Sequence, residues 1–295
     1  MLSNVALHLA TDTCVAITSN AATIAGMTGT ERAYEATAIL ESANLTAASA
    51  GKGFAVASSV LTSVSVLTAL KVTAGLASVD TNAPTVLAGL LVGVWFPFFF
   101  SALILFSVQE AAGSMIIETR RQLEGIAEVS GSSSVNVAAK SSLQEMIIPA
   151  LYASMAPLIT GIVFGPLALA GMLTGAIATS MMINMTLSNT VSVINSVKNY
   201  TEIDGEGKIA QTYKTGTLID SLGAAFSAVG PALNTLIKLM SIISLVMGPF
   251  MTNWAEWSYW YFGIIPVAIA LTGTALYYLF IWKDDEEVTV AAPEA

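Results

Sequence analysis

The sequence predicts an all-α fold: a polytopic transmembrane helix bundle of about six or seven helices. Three observations predict it. Hydrophobic residues fill 55% of the 295 positions, charged residues only 11%, and mean hydropathy is +0.72. A soluble domain carries roughly 25% charged residues, so this chain lacks the material for a polar surface, whereas lipid accepts an apolar one. Apolar stretches long enough to cross a bilayer, which takes about 20 helical residues, recur along the whole chain. The last of them has aromatic residues at both ends, Trp254, Trp257, Tyr259, Trp260 and Tyr261 at one and Tyr277, Tyr278 and Trp282 at the other. Such belts mark the two membrane interfaces.

The first span is read over 5–27. It is the most polar, with Asp12 among Thr, Ser and Asn residues, and such a helix faces its neighbours rather than lipid. A loop with Glu31, Arg32, Glu35 and Glu41 leads to the second span, 44–71, where Gly51 and Gly53 flank Lys52. The third, 83–112, centres on Trp95–Phe96–Pro97–Phe98–Phe99–Phe100, and a kink is expected at Pro97. A polar stretch, 117–140, contains the loop signal Ser130–Gly131–Ser132–Ser133–Ser134. The fourth and fifth spans, 143–164 and 166–190, meet at a Gly165–Pro166 turn. Gly161/Gly165 and Gly171/Gly175 are small-xxx-small pairs that favour close helix packing. A second polar segment, 196–214, precedes the sixth span, 215–250, for which a break is expected near Gly230–Pro231. The seventh is 257–282, and a short acidic tail follows.

With seven spans, Arg32, Arg120, Arg121, Lys140, Lys198, Lys208, Lys214 and Lys283 gather on one side, which predicts that side as cytoplasmic or matrix-like. The net charge of −9 excludes nucleic acid as a partner and argues against a polybasic surface anchor. His8 and Cys14 are the only residues of their types. They form no metal cluster and read as ordinary wall residues. No cleavable leader or Arg-rich presequence is expected.

Several segments resemble the carboxyl-terminal part of the membrane-bound, ion-pumping pyrophosphatases. Gly230–Pro231–Ala232–Leu233–Asn234–Thr235–Leu236–Ile237–Lys238–Leu239–Met240 is similar to the family run GPSLNILIKLM. Gly51–Lys52–Gly53–Phe54–Ala55 matches in the second span. Glu118–Thr119–Arg120–Arg121–Gln122 resembles EVRRQ, and Glu145–Met146–Ile147–Ile148–Pro149 resembles EMIPP. Ser188–Asn189–Thr190 begins what the family continues as SNTGGAWDNAKKY. Each is weak alone; their shared order carries the resemblance over about 5–250. It implies the last six of about sixteen helices, in a homodimeric enzyme that hydrolyses pyrophosphate with magnesium and moves protons or sodium ions.

The departures shape the functional expectation. The first family motif, ADAYGPISDNAGGIAEM, keeps Asp12 and Asn20, but its second aspartate falls on Ser19 and its glutamate on Gly26. The fifth-span aspartate falls on Asn195, with Lys198 kept and the paired glycines replaced by Val191 and Ser192. Before the sixth span, aspartates fall on Ile219, Gly223 and Ser227 and a lysine on Phe226, while the second-span asparagine falls on Leu45. Metal-assisted attack on phosphate needs oxygen ligands at several points. The retained family-like polar positions are therefore Asp12, Asn20, Lys52, Lys198 and Lys238, with no catalytic residue, metal site or cofactor expected.

On this reading residues 1–250 form a pyrophosphatase-like helical region, and 251–295 add a transmembrane helix and tail. The expected role is non-catalytic: a pseudoenzyme acting as an accessory subunit of a larger membrane complex, with other membrane subunits and lipids as partners. An energy-converting complex of the mitochondrial inner membrane, or of another organelle, is the expected host. The alternatives are part of a split magnesium-dependent pump, or a subunit that binds an anion or lipid headgroup at a vestigial site without hydrolysis.

Overall fold

The structure, a computed structural model, describes the backbone of residues 31–125, 131–203, 211–251 and 260–279, with isolated positions at 14, 17, 18, 21 and 25. The described residues form helices and connecting turns. They are α1 (Glu31–Thr73), α2 (Pro84–Leu123), α3 (Gly131–Glu145), α4 (Ile147–Ile203), α5 (Gln211–Met247) and α6 (Ile264–Tyr277), with short 3₁₀ turns at Gly248–Met251 and Trp260–Gly263. The chain divides into two compact units, Met1–Thr62 and Ser63–Ala295, and α1 runs from one into the other.

Five helical stretches are long and apolar enough to cross a membrane: Gly51–Thr73, Pro84–Leu123, Ser134–Ile194, Ala225–Met251 and Trp260–Tyr277. The third holds two crossings. Its helix is interrupted at Gly165, with φ 83° and ψ 176°, a backbone region open essentially to glycine alone. The contacts on either side give the directions. Ser107 donates to the Glu145 carbonyl at 3.0 Å, and the Phe99 ring meets Tyr152 edge-on at 5.4 Å, so the first arm of α4 runs antiparallel to α2. Gly89 then meets Ala168, Gly93 meets Met172, and Gly175 meets Leu90 and Val94. Both numbers now rise together, so the second arm runs parallel to α2. The chain has turned back at Gly165, as the Gly–Pro pair predicts, and Gly161 lies against Leu169 across the turn.

Close approach of α2 to the second arm of α4 rests on glycines from both. A Cβ on Gly89 or Gly93 would strike the carbonyl of Ala168 or Met172; one on Gly171 or Gly175 would strike that of Val86 or Leu90. Without a hydrophobic force between helices in lipid, such backbone contact is a main source of association. Around it, Phe96, Phe100, Ile104, Leu169, Met172, Leu173, Leu233, Leu236 and Met240 form the buried core.

The remaining helices follow from these contacts. Ile194 packs on Gly223 and Asn184 on Gly230, so α5 is antiparallel to the second arm of α4. Gly263 meets Val163 and Gly273 meets Leu151, so α6 is antiparallel to the first arm. In the second unit, one end of the bundle therefore holds Thr73, Pro84, Gly165, Gly248 and Gly263. The other holds Leu123, Glu145, Ile194 and Tyr277.

Several expectations are revised. The loop read over 28–42 is helical from Glu31 onward, because its Ala and Glu residues are strong helix formers. Gly131–Ser134, read as loop, opens α3. Both α2 and α5 run on through Pro97 and Pro231, so the expected break near Gly230 is absent. The first span, 5–27, lies outside the described residues apart from isolated positions. The 40 residues of α2 amount to about 60 Å at 1.5 Å per residue, twice the roughly 30 Å hydrocarbon core. Against its charged end, with Glu110, Glu118, Arg120 and Arg121, lies α3.

Candidate functional site

Of the five retained family-like positions, two are described with their side chains. Lys52 is half-buried on α1 in the first unit, and Lys238 is half-buried on α5 in the second. Lys198 lies on the helical backbone of α4, and its side chain is outside the description; so are Asp12 and Asn20. No two of the five share a described contact.

What the structure does bring together lies one turn before Lys238. Asn184, 5% exposed, sits on the second arm of α4 within the apolar run Met181–Met182–Ile183–Asn184–Met185. Its Nδ2 donates to Asn234 Oδ1 at 2.9 Å and to the Gly230 carbonyl at 3.2 Å. Gly230 is required here for space: an added Cβ would lie 2.8 Å from Asn184 Oδ1. Thr235, one residue beyond Asn234, donates its hydroxyl to the Pro231 carbonyl at 3.0 Å, the local back-bond open to a threonine in a helix. This junction joins two helices through three polar groups in an otherwise apolar interior.

Sequence reading missed Asn184 and did not single out Asn234. The available signal was a lone amide inside an apolar span, since polar groups at that depth are costly and persist where they have partners.

A second polar cluster lies at the α2–α3 end. Glu118, from the run that resembles EVRRQ, is 7% exposed. It accepts from Gln122 Nε2 at 2.8 Å and pairs with Arg121 at 3.6 Å. Gln122 also donates to Ser134 on α3 at 3.1 Å. Because Arg121 is more than half exposed, the hydrogen bonds matter more here than the screened ion pair. Glu110, two turns earlier on α2, is exposed.

Among the described residues, no group of three or more His, Cys, Asp or Glu could hold a metal ion.

The profile of the family described as inorganic H+ pyrophosphatase matches residues 1–247. A Clostridium tetani relative, provisionally named a K+-stimulated pyrophosphate-energized sodium pump, is 34% identical over 264 residues, covering 86% of this chain and 39% of the relative. A K+-insensitive pyrophosphate-energized proton pump of Methanosarcina mazei is 32% identical over 264 residues, 85% of this chain and 39% of the relative. A K+-stimulated pyrophosphate-energized sodium pump of Thermotoga maritima is 29% identical over 270 residues, 83% and 37%. The chain thus spans about two fifths of the length of these relatives.

These similarities overturn the expectation that the chain is not an enzyme. Relatives at about 30–34% identity over some 85% of it are named as pyrophosphate-energized pumps, which points to an enzyme. The expectation rested on counting carboxylates at positions matched without gaps. A stretch covering two fifths of such a protein holds only part of its polar residues, so that count does not measure the whole site. The multi-pass membrane location stands on the five long apolar helices and the family match. Nothing in these relatives supports an accessory role or an organellar host.

Proposed function

Because the chain belongs to the inorganic H+ pyrophosphatase family, we propose that it works as the membrane-embedded, ion-translocating portion of a pyrophosphate-energized cation pump. The observation that carries this reading is the extent of the family match: residues 1–247 take in α1 to α5 to their last residue. The cargo is a proton or a sodium ion, the two named for the relatives. Lys238 is the charged residue within the Ala225–Met251 span, one turn from the Asn184–Asn234 junction. An ionisable residue inside a membrane span is costly and is retained for a pathway or a specific partner. The exposed apolar side chains Leu91, Phe98 and Phe106 of α2 meet lipid or the further helices of such a pump.

The test is pyrophosphate-driven transport in sealed vesicles containing the chain in its native assembly. Acidification is followed with a pH-sensitive dye, and sodium uptake with a radioactive tracer. Addition of pyrophosphate is expected to drive one of the two, and Lys238→Ala to reduce the rate more than tenfold. Vesicles that hydrolyse and transport equally well without this chain would sink the reading.

A further inference from the structure

Hydroxyls in membrane helices satisfy themselves by donating to the carbonyl one turn back. This protein does so repeatedly. Thr174 donates to Ala170, Ser101 to Pro97, Ser192 to Ser188, Ser244 to Met240 and Thr274 to Ala270, all at 2.7–3.0 Å. Ser180 and Ser241 do not. They are 2% and 1% exposed, and neither hydroxyl has a hydrogen-bond partner among the described residues.

Their positions relate the two. On α5, Gly223, Gly230 and Asn234 contact the second arm of α4. Ser241 continues that series at spacings of seven, four and seven, which keeps all four on one helix face. On α4, Ser180 precedes Asn184 by one turn on the face that meets α5. The antiparallel register set by Ile194–Gly223 and Asn184–Gly230 places Ser180 at a height between Asn234 and Ser241. Two orphaned hydroxyls and the Asn184–Asn234 pair thus lie in one interhelical seam.

We propose that this seam binds internal water, with Ser180, Ser241 and Asn234 as its protein ligands; Asn234 and Ser241 stand about 10 Å apart along α5, so the site takes a short chain of waters rather than one. Buried hydroxyls in native proteins are paired with protein or with ordered water. A buried water needs two to four polar partners. Asn234 has donors to offer, because an amide carries two N–H groups and its contact with Asn184 uses only its oxygen. The ligands are neutral, and Lys238 lies one turn from Asn234. That chemistry suits water better than a bare cation, whose desolvation would go uncompensated. The site does not depend on the pump assignment, and its test does not use activity.

The test combines Ser180→Ala and Ser241→Ala in the full chain, in lipid nanodiscs, with a high-resolution map of the parent protein. A hydroxyl that holds water loses that bond on truncation, whereas one left dry is relieved by it. Each variant is expected to melt about 2–4 °C below the parent. The map is expected to show a water oxygen within hydrogen-bond distance of Ser180 or Ser241. Variants as stable as the parent or more so, or a map with only apolar atoms around both hydroxyls, would overturn the proposal.

Discussion

Tyr277 donates its phenolic hydrogen to Glu145 Oε1 at 2.8 Å, across 132 residues of chain. The bond ties the end of α6 to the residues that lead into α4. Tyr152 and Thr274, 3.3 Å apart, make a second tie one turn further in. Removing the Tyr277 hydroxyl, as Tyr277→Phe, should cost about 1–3 kcal/mol, read as a lower melting temperature. Glu145→Gln keeps an acceptor and should lose less than Glu145→Ala. Equal losses for the two Glu145 variants would show that the side-chain oxygen is not what holds α6.

Gly165 is the position where the backbone itself excludes other residues. Gly165→Ala should destabilise the hairpin by about 1–3 kcal/mol and lower the yield of monodisperse protein, measured by size-exclusion chromatography in detergent. Pro166→Ala, which leaves the φ 83° position intact, should be milder.

The glycines of α2 and α4 predict effects of opposite sign. Gly89→Ala and Gly171→Ala drive a methyl into backbone of the facing helix and should cost about 1–3 kcal/mol. Gly113, on the same α2, has nothing within 4 Å of its Cβ position. Gly113→Ala should stabilise by about 0.5–1 kcal/mol through helix propensity. Thermal melts of the three variants side by side would expose a reversal of this order.

Asn184 and Asn234 should behave as one unit. Asn184→Ala strips the donor from both Asn234 Oδ1 and the Gly230 carbonyl, at about 1–3 kcal/mol, whereas Asn234→Ala leaves Asn184 its bond to Gly230 and should cost less. The double variant should cost clearly less than the two combined, as expected of residues in contact. Additive losses in a double-mutant cycle would mean that the hydrogen bond contributes little.

Much of this fold is legible in residue order, and the reasons can be traced to particular positions. Long apolar runs declare the spans because lipid leaves no alternative for the backbone. Gly165–Pro166 and Gly230–Pro231 show where such reading stops. The two pairs look alike in sequence, yet one reverses the chain and the other lies within a continuous helix. What separates them is tertiary: Gly230 is packed beneath Asn184 and bonded by it. Gly171 and Gly175 were readable as a packing pair, but the α2 glycines of the same interface, Gly89 and Gly93, emerge only once α2 is laid against α4. The site was less legible. Asn184 has no neighbour in sequence to announce it, and its meaning lies 46 and 50 residues away. The enzymatic character was misread because a tally of carboxylates in a partial stretch says little about a site assembled from more of the family's length.

The length of α2 has a mechanical consequence. From Glu110 to Leu123 it continues for about 20 Å past its apolar part, stiffened by the α3 contacts through Gln122–Ser134 and Ser114–Ser141. A rod of that kind is a lever whose fulcrum is the glycine contact at Gly89 and Gly93. A tilt of about 15° there swings Leu123, about 45 Å along the helix from Gly93, by about 12 Å. Small repacking deep in the membrane is thereby readable as displacement outside it, at Arg120 and Arg121.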